Sequence, residues 1–199
     1  MCWSFEVSIV SWLIGLATAF YLFTRQKSRN DVILALLITT YSTMQLAEAM
    51  MWKDVECKTG ANKIGTYIAY FSLWLHPLVI ALGIYWAYGS NAWPAVLVGG
   101  AMLAYGIATM PSCMACSQPK PETNGHLAWG FSPSFYFAIF GVAMAMCLMY
   151  IRPWKYGIAA VSFYAITFAL TFLIAPKGSV GSYWCWMAAF LAPIVAIAT

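Results

Sequence analysis

Two side chains carry chemistry into segments otherwise too apolar to hold it. Glu48 sits in "MQLAEAMMW", residues Met44–Trp52, and His76 sits in "LWLHPLV". A carboxylate within a membrane helix costs about 2.5–3.5 kcal/mol on insertion scales, so one that is kept marks a pairing, an ion path or a wet cavity. Carboxylates and histidines in series are the parts from which intramembrane proton relays are built. The same two groups can also do general acid–base work. A third reactive set is thiol: Cys113-x-x-Cys116, in a loop that also holds His126. Such a pair can bind metal, cycle as a redox couple or bond elsewhere as structural disulfide. Cys113, Cys116, Cys57 and His126 would supply the four ligands of a structural zinc. Their spacing matches no standard module, so no metal is expected and structural disulfides are favoured.

Spacing gives the two central residues their company. Tyr41, Gln45, Glu48 and Trp52 stand at i, i+4, i+7 and i+11 and share one helical face. A polar face in a membrane helix points into the bundle or a wet cavity. The plainer alternative for Glu48 is a partly wet carboxyl near the interface that holds the fold through hydrogen bonds. Pro77 follows His76, and a proline kink would free carbonyls and open space beside the imidazole. The plainer alternative here is a neutral histidine bonded to a neighbouring backbone or hydroxyl group, with Ser72 one turn away. Glu48 lies shallow and His76 central, so their contact would need Gln45, Tyr41 or water between them. Glu6 is placed at the outer mouth.

The remaining patterns read as packing. Ser4, Ser8, Ser11, Gly15 and Thr18 form a small-residue stripe that lets helices approach closely. Tyr164, Thr167 and Thr171 share a face suited to interhelical hydrogen bonds. Trp184 and Trp186 read as interface anchors ahead of binding groups, and Ala188, Ala189 and Ala192 suit close helix contact.

The elements that must position these groups are membrane helices. Of 199 residues 63% are hydrophobic and 8% charged, against about 25% charged in a soluble domain. Mean hydropathy is +0.76. The expected fold is all-α: a single integral, multi-pass membrane domain spanning 1–199, with seven transmembrane helices near 5–23, 32–52, 64–88, 93–110, 135–151, 156–175 and 183–199. The first run is too long for a signal-peptide core and has no basic residue before it, so it reads as a retained span. Arg25, Lys27 and Arg29 follow that span directly, which puts the N-terminus outside and the C-terminus inside. Arg152 and Lys155 would then be inside, and Lys53, Lys58, Lys63, Lys120 and Lys177 outside. Five against five leaves the whole-chain count silent. Cys2, Cys57, Cys113, Cys116 and Cys185 fall on the outer side and Cys147 near the inner, as an oxidising outer face would favour. Two disulfides and a spare thiol fit, with connectivity open.

Several chemistries are excluded or left unnamed. There is no Walker motif, GxGxxG or HExxH, and no lysine in the seventh span for a retinal Schiff base. A bis-histidine haem would need His76 and His126, which look far apart, so no cofactor can be named. The small +4 net charge has no basic stripe for nucleic acid. The expected partner is the lipid bilayer, with a homo-oligomer or a membrane-complex partner left open.

The segments "MCWSFEVS", "STMQLAEAMMW", "HP" in span three, "GHLAW" and "GSYWCW" occur in that order. In this the chain resembles a group of uncharacterised multi-pass membrane proteins of large DNA viruses and bacteria that begin Met-Cys-x-Ser. The resemblance runs along most of the chain and implies a multi-span fold but no activity. It puts weight on Cys2, Gln45, Glu48, Trp52, His126, Trp184 and Cys185. Three functions follow, in order. The first is translocation of protons, ions or a small polar solute through a polar cavity opening to the outer side. The second is a membrane-embedded enzyme using acid–base or thiol chemistry on a lipid-like substrate. The third is an accessory subunit of a membrane complex.

Overall fold

Capping chemistry sets where the first two helices begin. Ser4 Oγ accepts the Val7 N–H at 3.3 Å and opens α1, Phe5–Arg25. Asp31 accepts the Lys27 N–H at 2.8 Å and the Ser28 N–H at 3.4 Å. It thereby starts α2, Arg29–Lys53, ahead of the apolar run. The other helices are α3 (Ala61–Tyr88), α4 (Trp93–Ala108), α5 (Ser134–Leu148) and α6 (Trp154–Ile174). The computed structural model describes residues 4–131, 134–176, 178–184 and 187, the side chains of 134–137 excepted.

Each of the first six expected spans coincides with one of these helices. Four stretches are long and apolar enough to cross a membrane: Phe5–Arg25, Arg29–Lys53, Ala61–Ala108 and Trp154–Ile174. A 3-10 turn at Gly89–Ala92 divides the third stretch into α3 and α4. At 16 and 15 residues, α4 and α5 reach only about 24 and 22 Å at ~1.5 Å per residue. A further helical stretch covers 180–184 and 187. The rest of the expected seventh span, with Trp186 and the three alanines, lies outside the described residues, as do Cys2, Lys177 and Cys185.

Close packing follows the small residues. Ser8, Ser11, Gly15, Ala19 and Leu22 are the buried face of α1. A Cβ at Gly15 would stand 1.9 Å from Ser42 Oγ on α2, which is the stripe's expected role. The central helix is α3, packed on α2, α4 and α5. It runs unbroken through Pro77, and a Cβ at Gly99 would lie 2.5 Å from Leu78 Cα. The space expected beside the proline is thus filled on that side by the backbone of α4.

Contacts fix which residues share an end. Arg29 Nη1 donates to the Ala87 carbonyl at 2.6 Å, and Asn30 Nδ2 to the Arg152 carbonyl at 3.3 Å. The Tyr88 hydroxyl lies against Asn30 Oδ1 and 2.8 Å from the Arg152 carbonyl. The start of α2, the end of α3 and the α5–α6 link therefore meet at one end, the arginine end. At the other, Cys57 and Cys116 form a disulfide between the α2–α3 loop and the long loop after α4. Of the two disulfides expected, this is the one among the described residues. Cys113 is a free, exposed thiol, so the CxxC pair is not bonded to itself, and Cys147 is free and buried.

The long loop folds onto the bundle as a cap. Gln118–Pro119 pairs antiparallel with Leu127–Ala128, and the turn between them uses positive φ at Asn124 and Gly125. Met114, Ser117, Leu127, Trp129 and Phe131 are buried beneath it. Asn62, wholly buried in the first turn of α3, stitches cap to helix. Its Nδ2 donates to the carbonyls of Ser117 at 2.7 Å and Met51 at 3.0 Å, and its Oδ1 accepts the Ser117 N–H at 2.9 Å. Ser117 Oγ lies 2.8 Å from Thr66 Oγ1 and accepts the Gly130 N–H at 2.8 Å. A Cβ at Gly130 would stand 1.8 Å from the Ala115 carbonyl oxygen, so only glycine fits this approach.

Asp54 orders the loop that leads into α3, accepting N–H groups from Lys58 at 2.8 Å, Thr59 at 3.0 Å and Asn62 at 3.3 Å. Burial works against its charge, but the backbone donors of Thr59, Asn62 and Lys58 outweigh burial and hold the carboxyl down to about 2. A depressed carboxyl contributes stability that is present above its unfolded value, near 3.8, and is lost as pH falls through the folded one. Between pH 4 and about 2, amide exchange in the α2–α3 loop is therefore expected to accelerate. In Asp54→Asn the acceleration over that window should vanish; an unchanged acid profile in the variant would assign it elsewhere.

Candidate functional site

Glu48 is the centre of the polar interior. It is 0% exposed, so it is not partly wet as its plainer reading had it, but the fold-holding hydrogen bonds of that reading are present. Oε1 accepts the Trp129 indole N–H at 3.1 Å and the Ser182 hydroxyl; Oε2 accepts from Gln45 Nε2 at 3.4 Å. Donors thus reach it from α2, from the cap and from the stretch after α6. Charge-assisted bonds of this kind are about twice as strong as neutral ones, and they offset the cost of burying the carboxylate.

The helical face read from sequence is present. Tyr41 and Gln45 are buried with Glu48, and Trp52 is half-buried against the core. Glu6 is exposed in the first turn of α1 and lies outside the buried cluster. His76 is 1% exposed, and its ring centroid lies 4.9 Å from that of Tyr41. Tyr41 is thus the neighbour that links the histidine to the face carrying Glu48. His76 Nδ1 faces the Ser72 carbonyl at 2.7 Å, so Nδ1 carries the proton when the ring is neutral. Nε2 is then a bare acceptor, and it has no hydrogen-bond partner among the described residues. The neighbouring-backbone reading of His76 therefore accounts for one ring nitrogen and leaves the other open.

One expectation needs correction. Trp184 is 2% exposed and is no interface anchor. Its indole meets Tyr41, Tyr164, Phe140 and Phe168 edge-on at 5.1, 5.1, 5.8 and 5.9 Å, and Nε1 points to Thr167 Oγ1 at 3.4 Å. Aromatic partners from α2, α5 and α6 draw it inward. His126 Nε2 is hydrogen-bonded to the Tyr183 hydroxyl at 2.9 Å, and burial lowers its pKa from the ordinary imidazole value. Among the described residues no three His, Cys, Asp or Glu gather as a metal site.

Four residues at the heart of this arrangement had no role from sequence: Trp129, Ser182, Asn62 and Ser117. A signal existed for the first two. They lie in "GHLAW" and "GSYWCW", and the fold brings those segments together at Glu48 and at the His126–Tyr183 pair. No family model, no curated protein and no solved structure matches the chain.

Proposed function

We propose that the chain is a seven-span integral membrane protein with its cysteine end outward, and that it moves protons or a small cation through Glu48 and His76. The supporting observation is a wholly buried carboxylate on the same helix face as Tyr41, whose ring touches a histidine with an open Nε2. Glu48 would take the proton from the cap side. Passed along Gln45, Tyr41 or an intervening water, the proton would arrive at Nε2 and make the imidazolium, which Ser72's carbonyl already stabilises from Nδ1. The likeness to the Met-Cys-x-Ser membrane proteins is in keeping with the span count and adds no activity.

One observation favours a second reading. Beyond His76 toward the arginine end, the buried residues of α3 are Pro77, Ile80, Ala81, Gly83, Ile84 and Ala87, and α5 adds Met144 and Leu148. A polar half closed by an apolar layer suits a membrane-embedded enzyme that meets a lipid-like substrate from one side. Translocation through that layer would need alternating access. Dye-loaded proteoliposomes, with the potential clamped, separate the two. Acidification of the outside should give protein-dependent proton entry, falling at least about tenfold in His76→Gln, within the span of a single proton-transfer group. Absence of flux from wild-type protein would remove translocation and leave the enzyme.

A further inference from the structure

Charge is divided unevenly between the two ends. The arginine end carries Arg25, Lys27, Arg29, Arg152 and Lys155 against Asp31 alone, and Asp31 is taken by Arg25 at 2.9 and 3.1 Å. At the cysteine end, among the described residues, Lys53, Lys58, Lys63 and Lys120 are balanced by Glu6, Asp54, Glu56 and Glu122, with Glu48 buried beneath. An equal count of basic residues per side had hidden this difference, because it left out the acids.

The surplus charge adjoins a cavity. A cavity of about 60 Å³ opens between the α3–α4 turn and the α5–α6 link, lined by Tyr88, Asn91, Ala92, Tyr150 and Arg152. Arg152 spends Nη1 on the Met149 carbonyl at 3.3 Å, and its other N–H groups donate to nothing else among the described residues, which leaves them to a ligand. Arg152 lines the cavity and Arg29 donates to the Ala87 carbonyl next to Tyr88, so two guanidinium groups stand at this site. Around it Trp86, Trp93 and Trp154 are exposed to 67, 55 and 67%. Exposed tryptophans of this kind mark the level of the lipid headgroups.

We infer that this cavity binds the phosphate of an anionic phospholipid. The guanidinium of Arg152 would meet two phosphate oxygens side by side, Asn91 would donate its amide, and the tryptophans would lie along the glycerol and upper acyl chain. Basic pockets between membrane helices take anionic headgroups in this way. The inference needs the chain to lie in a bilayer and does not need Glu48 to move anything, so its failure and that of the translocation reading are separate results.

Native mass spectrometry of the purified protein, titrated with phosphatidylglycerol or phosphatidylcholine, tests it. One phosphatidylglycerol is expected to bind about fivefold more tightly than phosphatidylcholine, the order expected from ~1 kcal/mol per interfacial cation. Arg152→Gln should abolish the preference, and Lys155→Gln, a neighbour outside the cavity lining, should keep most of it. Thermal melting of both variants reports whether they fold. Equal retention of the two lipids, or a preference that survives in folded Arg152→Gln, overturns the inference. An inorganic phosphate arm identifies the source: phosphate that stabilises the protein where phosphatidylglycerol does not would make this a free-anion site and overturn the lipid.

Discussion

Glu48→Gln is expected to leave the fold nearly intact and to abolish the proposed proton flux, a drop of at least about a hundredfold, as loss of a proton-transfer group allows. The reason lies in how the carboxylate is held. Trp129 and Ser182 both donate to Oε1, and Gln45 donates to Oε2. A glutamine that puts its carbonyl oxygen in the Oε1 place keeps the first two bonds. Its NH₂ then faces Gln45, whose side-chain amide can turn to present oxygen, so the third contact is also kept. Weaker, uncharged bonds should lower stability by about 1–2 kcal/mol. Glu48→Leu is the contrast: it takes the Glu48 acceptor from an indole N–H, a hydroxyl and an amide in a buried place, at a cost of up to about 1–3 kcal/mol each. Melting and liposome flux on the two variants therefore separate the roles. Normal flux in Glu48→Gln beside a strongly destabilised Glu48→Leu would make Glu48 the fastening of the cap and nothing more.

What could be read from sequence was what a single helix decides. The face of Tyr41, Gln45 and Glu48 follows from 3.6-residue periodicity, and the Ser8–Ser11–Gly15 stripe from residue size. Helix positions followed hydropathy, with the start of α2 moved by Asp31, whose capping bonds hydropathy does not register. What could not be read was what distant segments do to one another. Trp129 and Ser182 reach Glu48 across 81 and 134 residues, and nothing local to either announces the partner. Trp184 follows a polar break, the usual place of an interface anchor, and only the aromatic rings of three other helices make it a core residue. The cap hairpin has two-residue strands, too short for the alternation that reveals a strand. Asn62 lay in a segment that resembled a linker, "KTGANK", yet it opens α3 and holds the cap.

Asn62→Leu carries the second large effect, and it tests whether the cap is part of the site. Leucine has the branching and heavy-atom count of asparagine but makes none of its bonds. The carbonyls of Met51 and Ser117 and the Ser117 N–H would lose their partner in a place where Asn62 and Ser117 are 0% exposed. At about 1–3 kcal/mol for each of the three stranded groups, the cost is about 3–9 kcal/mol, enough to open the cap locally while the apolar contacts of α1, α2 and α3 stay closed. The Cys57–Cys116 disulfide limits that opening, because it ties the cap to the α2–α3 loop next to Asn62. Amide exchange should therefore rise over 114–131 and stay low in the middle of α2 and α3, and reduction of the disulfide should widen the difference. Ser117 Oγ also holds the Gly130 N–H, and Gly130 adjoins Trp129, the indole donor to Glu48. Opening the cap should consequently let water reach Glu48 and change whatever the carboxylate does, in flux or in turnover. Unchanged exchange over 114–131, with a melting point close to wild type, would mean that the cap is held by its apolar residues and that Asn62 is incidental.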